Sequence, residues 1–410
     1  MNVTPWIRAL AASLAAALGI AACGGGGGGI GGTGGAMGTM RVSMTDAPAC
    51  GYDHVWVTVK SVRVHQSGSA DPDGPTGWSE ILVDAPNGRR IDLLALRNGV
   101  QTELGVTALP AGTYQQMRLV LAANGNNAPF ANAVVLSGET QERALDTPSA
   151  QQSGLKLNVN VTVPEGQEAH VLLDFDACKS VVRAGNSGKY NLKPVIGVTT
   201  LLQDAGLRIA GFVGAALANA ATSVSAQASG PTGPVVVKST TPAANGSFLL
   251  YPVPAGTYEL VITSPAHATG VMTGVPVVSG TPTEVSRAAV PLAPAPTASS
   301  PRTASGTLTP ADGTVRALQR FLAGPVIEVQ QAPVDVDTGA FSFSLPVVAA
   351  QRTPFVANLD ALGAFVWTTD ATTPANYTIE ATAADGVSRK TSPTVDILAP
   401  VLPALNFTFP

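Results

Sequence analysis

The chain is poor in the side chains that most active sites need. Its 410 residues include only four histidines and three cysteines, with 12% charged and 5% aromatic residues. The 23 basic and 27 acidic residues are scattered, and no Lys/Arg block gathers to neutralise phosphates, so nucleic acid is not an expected partner. His54, His65, His170 and His267 all lack a Gly-x-Ser-x-Gly or comparable setting, and no nucleophile–base pair is legible, so catalysis is not expected. His54 and His65 lie at the two ends of one predicted strand, roughly 35 Å apart if it is fully extended, too far to share a zinc ion. After residue 22 no apolar run approaches the ~20 residues of a membrane span.

What the chain has instead is turn and strand chemistry. With 43 glycines and 32 prolines, long helix interiors are disfavoured and many short strands joined by turns are expected. In Val55–Val64 the valines sit at odd positions through Val59 and at even positions from Val62. Strand side chains alternate with period two, so this change of parity predicts a bulge near Lys60–Ser61. Ile91–Gly99 reads as a short helix stopped by Asn98-Gly99. Further strands are predicted at 113–122, 133–137, 155–163, 169–175 and 189–199.

Two short patterns recur. Gly188–Val195 (GKYNLKPV) matches Gly246–Val253 (GSFLLYPV), with a looser copy at Gly339–Val347 (GAFSFSLPV). Each reads as a turn glycine, an alternating strand and a proline that ends the pairing. Leu109–Tyr114 (LPAGTY) returns as Val253–Tyr258 (VPAGTY), a Pro-Gly turn that launches a strand. Such repeats predict an all-β chain of three tandem β-sandwich modules, at 39–203, 204–290 and 304–410. The Pro/Ala/Ser stretch 291–303 is expected as a semi-rigid linker, and 23–38 as a glycine-rich tether reaching roughly 20 Å.

Residues 1–22 place Arg8 before an Ala/Leu-rich run that ends Ile20-Ala21-Ala22-Cys23. The run is short for a span but suits a cleaved secretory signal. It resembles the lipobox of bacterial lipoproteins, which implies a lipid-acylated Cys23 at the mature N-terminus and an exported, membrane-anchored protein. Gly24, where an aspartate would favour inner-membrane retention, implies the outer membrane by the same resemblance. With Cys23 assigned to lipid, Cys50 and Cys178 form an even pair in an oxidising compartment and are expected to form a disulfide.

Val42–Pro48 (VSMTDAP), the Ile91–Gly99 segment with Leu109–Leu121, and Asp174-Phe175-Asp176 with Tyr190–Val195 together resemble the DUF4382 family, which implies a β-rich extracytoplasmic module without a known activity. Ile209–Val213, Ala243–Val253 and Pro254–Ile262 resemble the carboxypeptidase regulatory-like family, a transthyretin- or Ig-like sandwich accessory to its neighbours. Through Thr338–Val347 alone the last module resembles a diverged relative of that family. Some surface-adhesin relatives carry Lys–Asn isopeptide crosslinks. Lys238 is the only lysine of the middle module and no first-strand lysine matches, so that bond is not expected here.

No cofactor is expected, and calcium is the one ion left open. Asp335-Val336-Asp337-Thr338-Gly339 begins like an EF-hand loop but has glycine where the third ligand belongs and Pro346 at the twelfth position. Asp71/Asp73 and Asp174/Asp176 are weaker pairs of the same kind. Trp56, Trp78 and Trp367 are too scattered to form an obvious sugar platform. The expected role is structural or binding, in the envelope, with carbohydrate or another surface ligand as the alternative and a hydrolase accessory as a third reading.

Overall fold

A computed structural model describes residues 36–46, 51–74, 76–147, 150–151, 153–185, 187–201, 207–322, 324–370 and 375–410. The fold is all-β, as the composition requires. The first sandwich begins with β1 (Met37–Asp46), β2 (Tyr52–His65), β3 (Ser79–Leu82), β4 (Arg89–Asp92), β5 (Thr102–Pro110) and β6 (Gly112–Leu121). It continues with β7 (Ala133–Leu136), β8 (Arg143–Asp146), β9 (Leu155–Val163) and β10 (Glu168–Phe175). After a one-turn helix at Ala177–Ser180 come β11 (Val181–Ala184), β12 (Lys189–Leu192) and β13 (Ile196–Leu201).

One sheet runs β13-β10-β1-β5, with β1 parallel to β10 and antiparallel to β5. The other runs β11-β12-β8-β7-β2-β6-β9, and β3 and β4 also pair with β2. The β2–β6 register shifts between Val59 and Ser61, where the valine parity changed. Val55, Val57 and Val59 point into the core before the shift and Val62 and Val64 after it, all fully buried. Ile91–Gly99 departs from its helical reading. Ile91-Asp92 ends strand β4, the helix is a single 3-10 turn at Leu93–Leu96 capped by Asp92, and Asn98 (φ 59°) and Gly99 (φ 75°) make the left-handed stop. The register of Trp56 with Asp92 holds that segment in the sheet.

The middle sandwich has β14 (Ile209–Phe212), β15 (Ser223–Gly230), β16 (Gly233–Thr240), β17 (Ser247–Leu250), β18 (Gly256–Thr263), β19 (Gly270–Val277) and β20 (Thr283–Glu284). The last contains β21 (Arg302–Thr309), β22 (Thr314–Arg320), β23 (Val326–Ala332), β24 (Ala340–Leu345), β25 (Gln351–Pro354) and β26 (Thr368–Thr369). It ends with β27 (Asn376–Thr382), β28 (Arg389–Thr391), β29 (Val395–Asp396) and β30 (Leu405–Thr408).

The two share one topology. Sheet β17-β14-β20 matches β24-β21-β30, and β16-β15-β18-β19 matches β23-β22-β27-β28. Even the bulge recurs, at Ala226/Gln227 and at Ala317/Leu318. They differ in what joins the two sheets. The short turn 251–255 of the middle sandwich has in the last sandwich a longer counterpart whose described part, 346–370, carries β25 and β26 back onto the middle sheet. There β25 pairs parallel with β19, and Phe355, Phe365 and Trp367 pack against the middle core.

The 291–303 segment is likewise no free linker. Leu292 is fully buried and bonds Phe212 and Gly214, Ala268 donates to the Ala295 carbonyl, and Thr297 donates to that of Ala266. Pro291, Pro294 and Pro296 leave the residues between them able to donate, which suits an edge that pairs only intermittently.

The repeated motifs acquire a physical role. Tyr114 Oη donates to the Pro110 carbonyl at 2.9 Å and Tyr258 Oη to that of Pro254 at 2.7 Å. Tyr377 Oη reaches back across the insertion to the Pro346 carbonyl at 2.7 Å. The motif glycines Gly188, Gly246 and Gly339 all adopt left-handed φ, at 73°, 83° and 69°. A Cβ on Gly339 would lie 2.1 Å from the Leu308 carbonyl oxygen, whereas one on Gly188 would meet nothing within 4 Å. Gly188→Ala should therefore cost only the ~1–2 kcal/mol of left-handed strain. Gly339→Ala should cost clearly more, and denaturant titration of the two variants checks the order.

Candidate functional site

Ala36–Pro410 forms one compact unit, and polar bridges join its three sandwiches. At the first joint the left-handed turn of Asn98 aims its groups at the middle module. Asn98 N donates to Thr240 Oγ1 at 3.0 Å, and its Oδ1 accepts from Thr240 and from Leu249 N. Beside it Lys238 Nζ stands 2.6 Å from Asp174 Oδ1, an ion pair whose alignment falls short of a hydrogen bond. The Lys238 side chain is 4% exposed and that of Asp174 25%.

At the second joint the Gln227 carboxamide binds the backbone of Glu328 in both directions, each bond 2.8 Å long. Arg316 bridges Glu328 at 3.2 Å and Glu380 at 2.7 Å, and also donates to the Pro234 carbonyl. The core of the last sandwich takes in Val261 and Val271 of the middle one. A third contact joins the ends, where Val336 N donates to the Arg183 carbonyl at 3.2 Å.

A cavity of about 660 Å³ is lined by all three sandwiches and takes Gln227 and Glu328 of the second joint into its wall. The first contributes Tyr52, Ser137, Asp176, Cys178 and Lys179. The middle sandwich adds Ser225, Gln227, Ser239 and Ser264, and the last Glu328, Gln330, Gln331 and Ser344. Asp176 caps the Ala177–Ser180 turn through Lys179 N and holds Lys179 Nζ at 3.0 Å. Burial acts to lower the Lys179 pKa, but the carboxylates of Asp176, Glu328 and Asp174 outweigh it, and the ammonium is held above its ordinary value. Burial raises the Tyr52 phenol well above its ordinary range, with Tyr190 adding to the effect.

Of the expected site residues, Cys178 lines this cavity, as does Gly51. Cys23 and Cys50 lie outside the described residues. The histidines do not meet. His54 Nδ1 is 2.6 Å from Asp92 Oδ2, His65 accepts from Ser67 N, and His267 is buried in the middle sandwich. His170 Nε2 lies 2.9 Å from Ser43 Oγ, a pair the sequence did not reveal because it depends on the parallel β1–β10 pairing. Burial, then the charge of Arg41, lowers the His170 pKa. Ser43 lies on β1, which is paired on both sides within its sheet.

The carboxylates considered for calcium have other partners. Asp335 Oδ1 accepts from Asp337 N, Thr338 N and Thr338 Oγ1, and Asp71 Oδ1 accepts from Asp73 N. Asp174 and Asp176 face Lys238 and Lys179. Among the described residues no group of three or more His, Cys, Asp or Glu is arranged to hold a metal. Neither Trp56 nor Trp78 offers a bare platform. Arg90 lies 4.2 Å over Trp56 with His54 stacked on it, and Arg63 and Arg118 lie 4.6 and 5.8 Å over Trp78.

The fold thus defines a multi-sandwich all-β protein with a cavity lined by all three sandwiches, its wall mixing serine and carboxamide groups with a larger apolar surface. Residues 37–194 match the family model described as "Domain of unknown function (DUF4382)". No curated protein matches the chain. A cohesin–X-dockerin complex from Acetivibrio cellulolyticus, an N-terminal interface mutant, is 26% identical over 22% of this chain and 56% of its own, with a TM-score of 0.16. The pilus adhesin SpaC from Lactobacillus rhamnosus GG aligns over 87% of this chain and 40% of its own at 10% identity, with a TM-score of 0.14. The chain spans little more than half the length of the first of these.

The Lys238–Asp174 pair makes the first joint testable. Asp174→Ala leaves a buried ammonium without its partner and should cost about 2–3 kcal/mol, less than a wholly buried pair because Asp174 is partly solvated. Lys238→Met combined with Asp174→Leu should recover most of that loss in a double-mutant cycle followed by denaturation.

Proposed function

We propose that the chain is a lipid-anchored protein of the bacterial envelope, held by acylated Cys23, with a structural or binding role and no catalysis. The observation that carries this reading is the architecture. A lipobox-like Cys23 and a Gly-rich tether precede a body whose three sandwiches are joined by polar bridges and together line one cavity. Gly24 after the cysteine favours the outer membrane. The middle module is proposed as carboxypeptidase regulatory-like and the last as its diverged copy, a reading supported by their common strand order. Binding of carbohydrate or another surface ligand is the second reading, favoured by the junction cavity.

Cys50 and Cys178 are proposed to form a disulfide. Asp46 Oδ1 accepts from Ala177 N at 2.9 Å, and Gly51 and Cys178 line one cavity, so the chain on both sides of Cys50 comes close to Cys178. In non-reducing peptide mapping the two cysteine peptides should run as one linked species, and free thiols at both positions would count against the pairing. In cell fractionation, Cys23→Ala should move the protein from the membrane pellet to the soluble fraction, since stable anchoring needs two or more acyl chains. A variant that still sediments with membranes would refute the anchor.

A further inference from the structure

We infer that the junction cavity binds a neutral saccharide. The inference rests on the binding arm of the function proposed above, and it goes beyond it by fixing the ligand's chemistry. Three features argue for it together.

The first is size and origin. About 660 Å³ falls within the ~300–1,000 Å³ range of small-molecule sites, and the walls come from all three sandwiches. A ligand seated there touches every module at once.

The second is the kind of polar group presented. Ser137, Ser239, Ser264 and Ser344 supply hydroxyls and Gln331 a carboxamide. Each such side chain can both donate and accept, as can every hydroxyl of a sugar ring. Tyr52, Val236 and Pro265 add apolar surface suited to the C–H faces of a pyranose.

The third is charge. Lys179 is paired with Asp176 at 3.0 Å, and Glu328 with Arg316 at 3.2 Å. The ionised groups of the wall therefore already have counter-charges. A phosphate or uronate would have to displace Asp176 from Lys179, and a cationic ligand would have to displace Arg316 from Glu328. A neutral ligand disturbs neither pair, so charge selects against acidic sugars and nucleotides.

The test titrates the full-length, detergent-solubilised protein with maltotriose, cellotriose and N,N′-diacetylchitobiose. Digalacturonate serves as the acidic control, with saturation-transfer NMR and calorimetry as readouts. Saturable binding of at least one neutral saccharide is expected, with digalacturonate silent. Ser239→Trp, which fills the cavity from the middle sandwich, and Ser344→Trp, which fills it from the last, should each weaken that binding about tenfold or more while the melting temperature stays near that of the parent. If one of them fails to fold, Gln331→Ala, which removes one carboxamide, should still lower affinity. No saturable binding to any neutral saccharide, a preference for digalacturonate, or unchanged affinity in the variants would overturn the inference. Binding measured again in Cys23→Ala should be unchanged, so a failure of the anchor and a failure of the cavity are read separately.

Discussion

The paired hydrogen bonds between the Gln227 carboxamide and the Glu328 backbone hold the middle and last sandwiches in register. A buried carboxamide without partners is costly, and so is a buried peptide group. Here each satisfies the other, so docking the two modules buries both groups without leaving either unpaired, and parting them breaks both bonds. Arg316 lies in the same joint: its ion pairs with Glu328 and Glu380 are made within the last sandwich and hold its guanidinium in place, and its bond to the Pro234 carbonyl crosses to the middle one. The cavity depends on this joint, because Gln227 and Glu328 are part of its wall.

The inserted stretch 346–370 makes the coupling stronger in a way that a simple string of modules would not. Sheet edges are a liability, and β19 would present one. Pairing β25 along it and laying Phe355, Phe365 and Trp367 over the middle core solves that problem with residues from the next module. The Pro-rich 291–301 stretch follows the same logic on the opposite strand system, with Leu292 buried between Phe212 and Gly214. Sequence distance and spatial membership therefore disagree twice, at 291–301 and at 351–369.

Much of the fold was legible. The valine parity of β2 located its bulge, because side-chain alternation is a local constraint that the sequence carries directly. The recurring Gly-strand-Pro and Pro-Ala-Gly-Thr-Tyr patterns marked equivalent turns, although the tyrosine bond back to the proline carbonyl was not foreseen. The Ile91 segment misled because its apolar spacing fits a helix while its pairing to β2 is a non-local fact. The cavity was not legible at all. Ser137, Ser239, Ser264 and Ser344 are unremarkable serines, distant in sequence, and only the docking of three modules brings them to one wall. Lys238 was noted for the absence of a crosslinking partner, but its ion pair with Asp174 of the neighbouring module has no sequence signature.

Differential scanning calorimetry of the body beyond the tether tests most directly whether the three sandwiches are one mechanical unit. Joints of this kind predict a single dominant transition, which Gln227→Ala should lower and broaden or split. Three separate transitions in the parent protein, with the middle one indifferent to Gln227→Ala, would contradict the account.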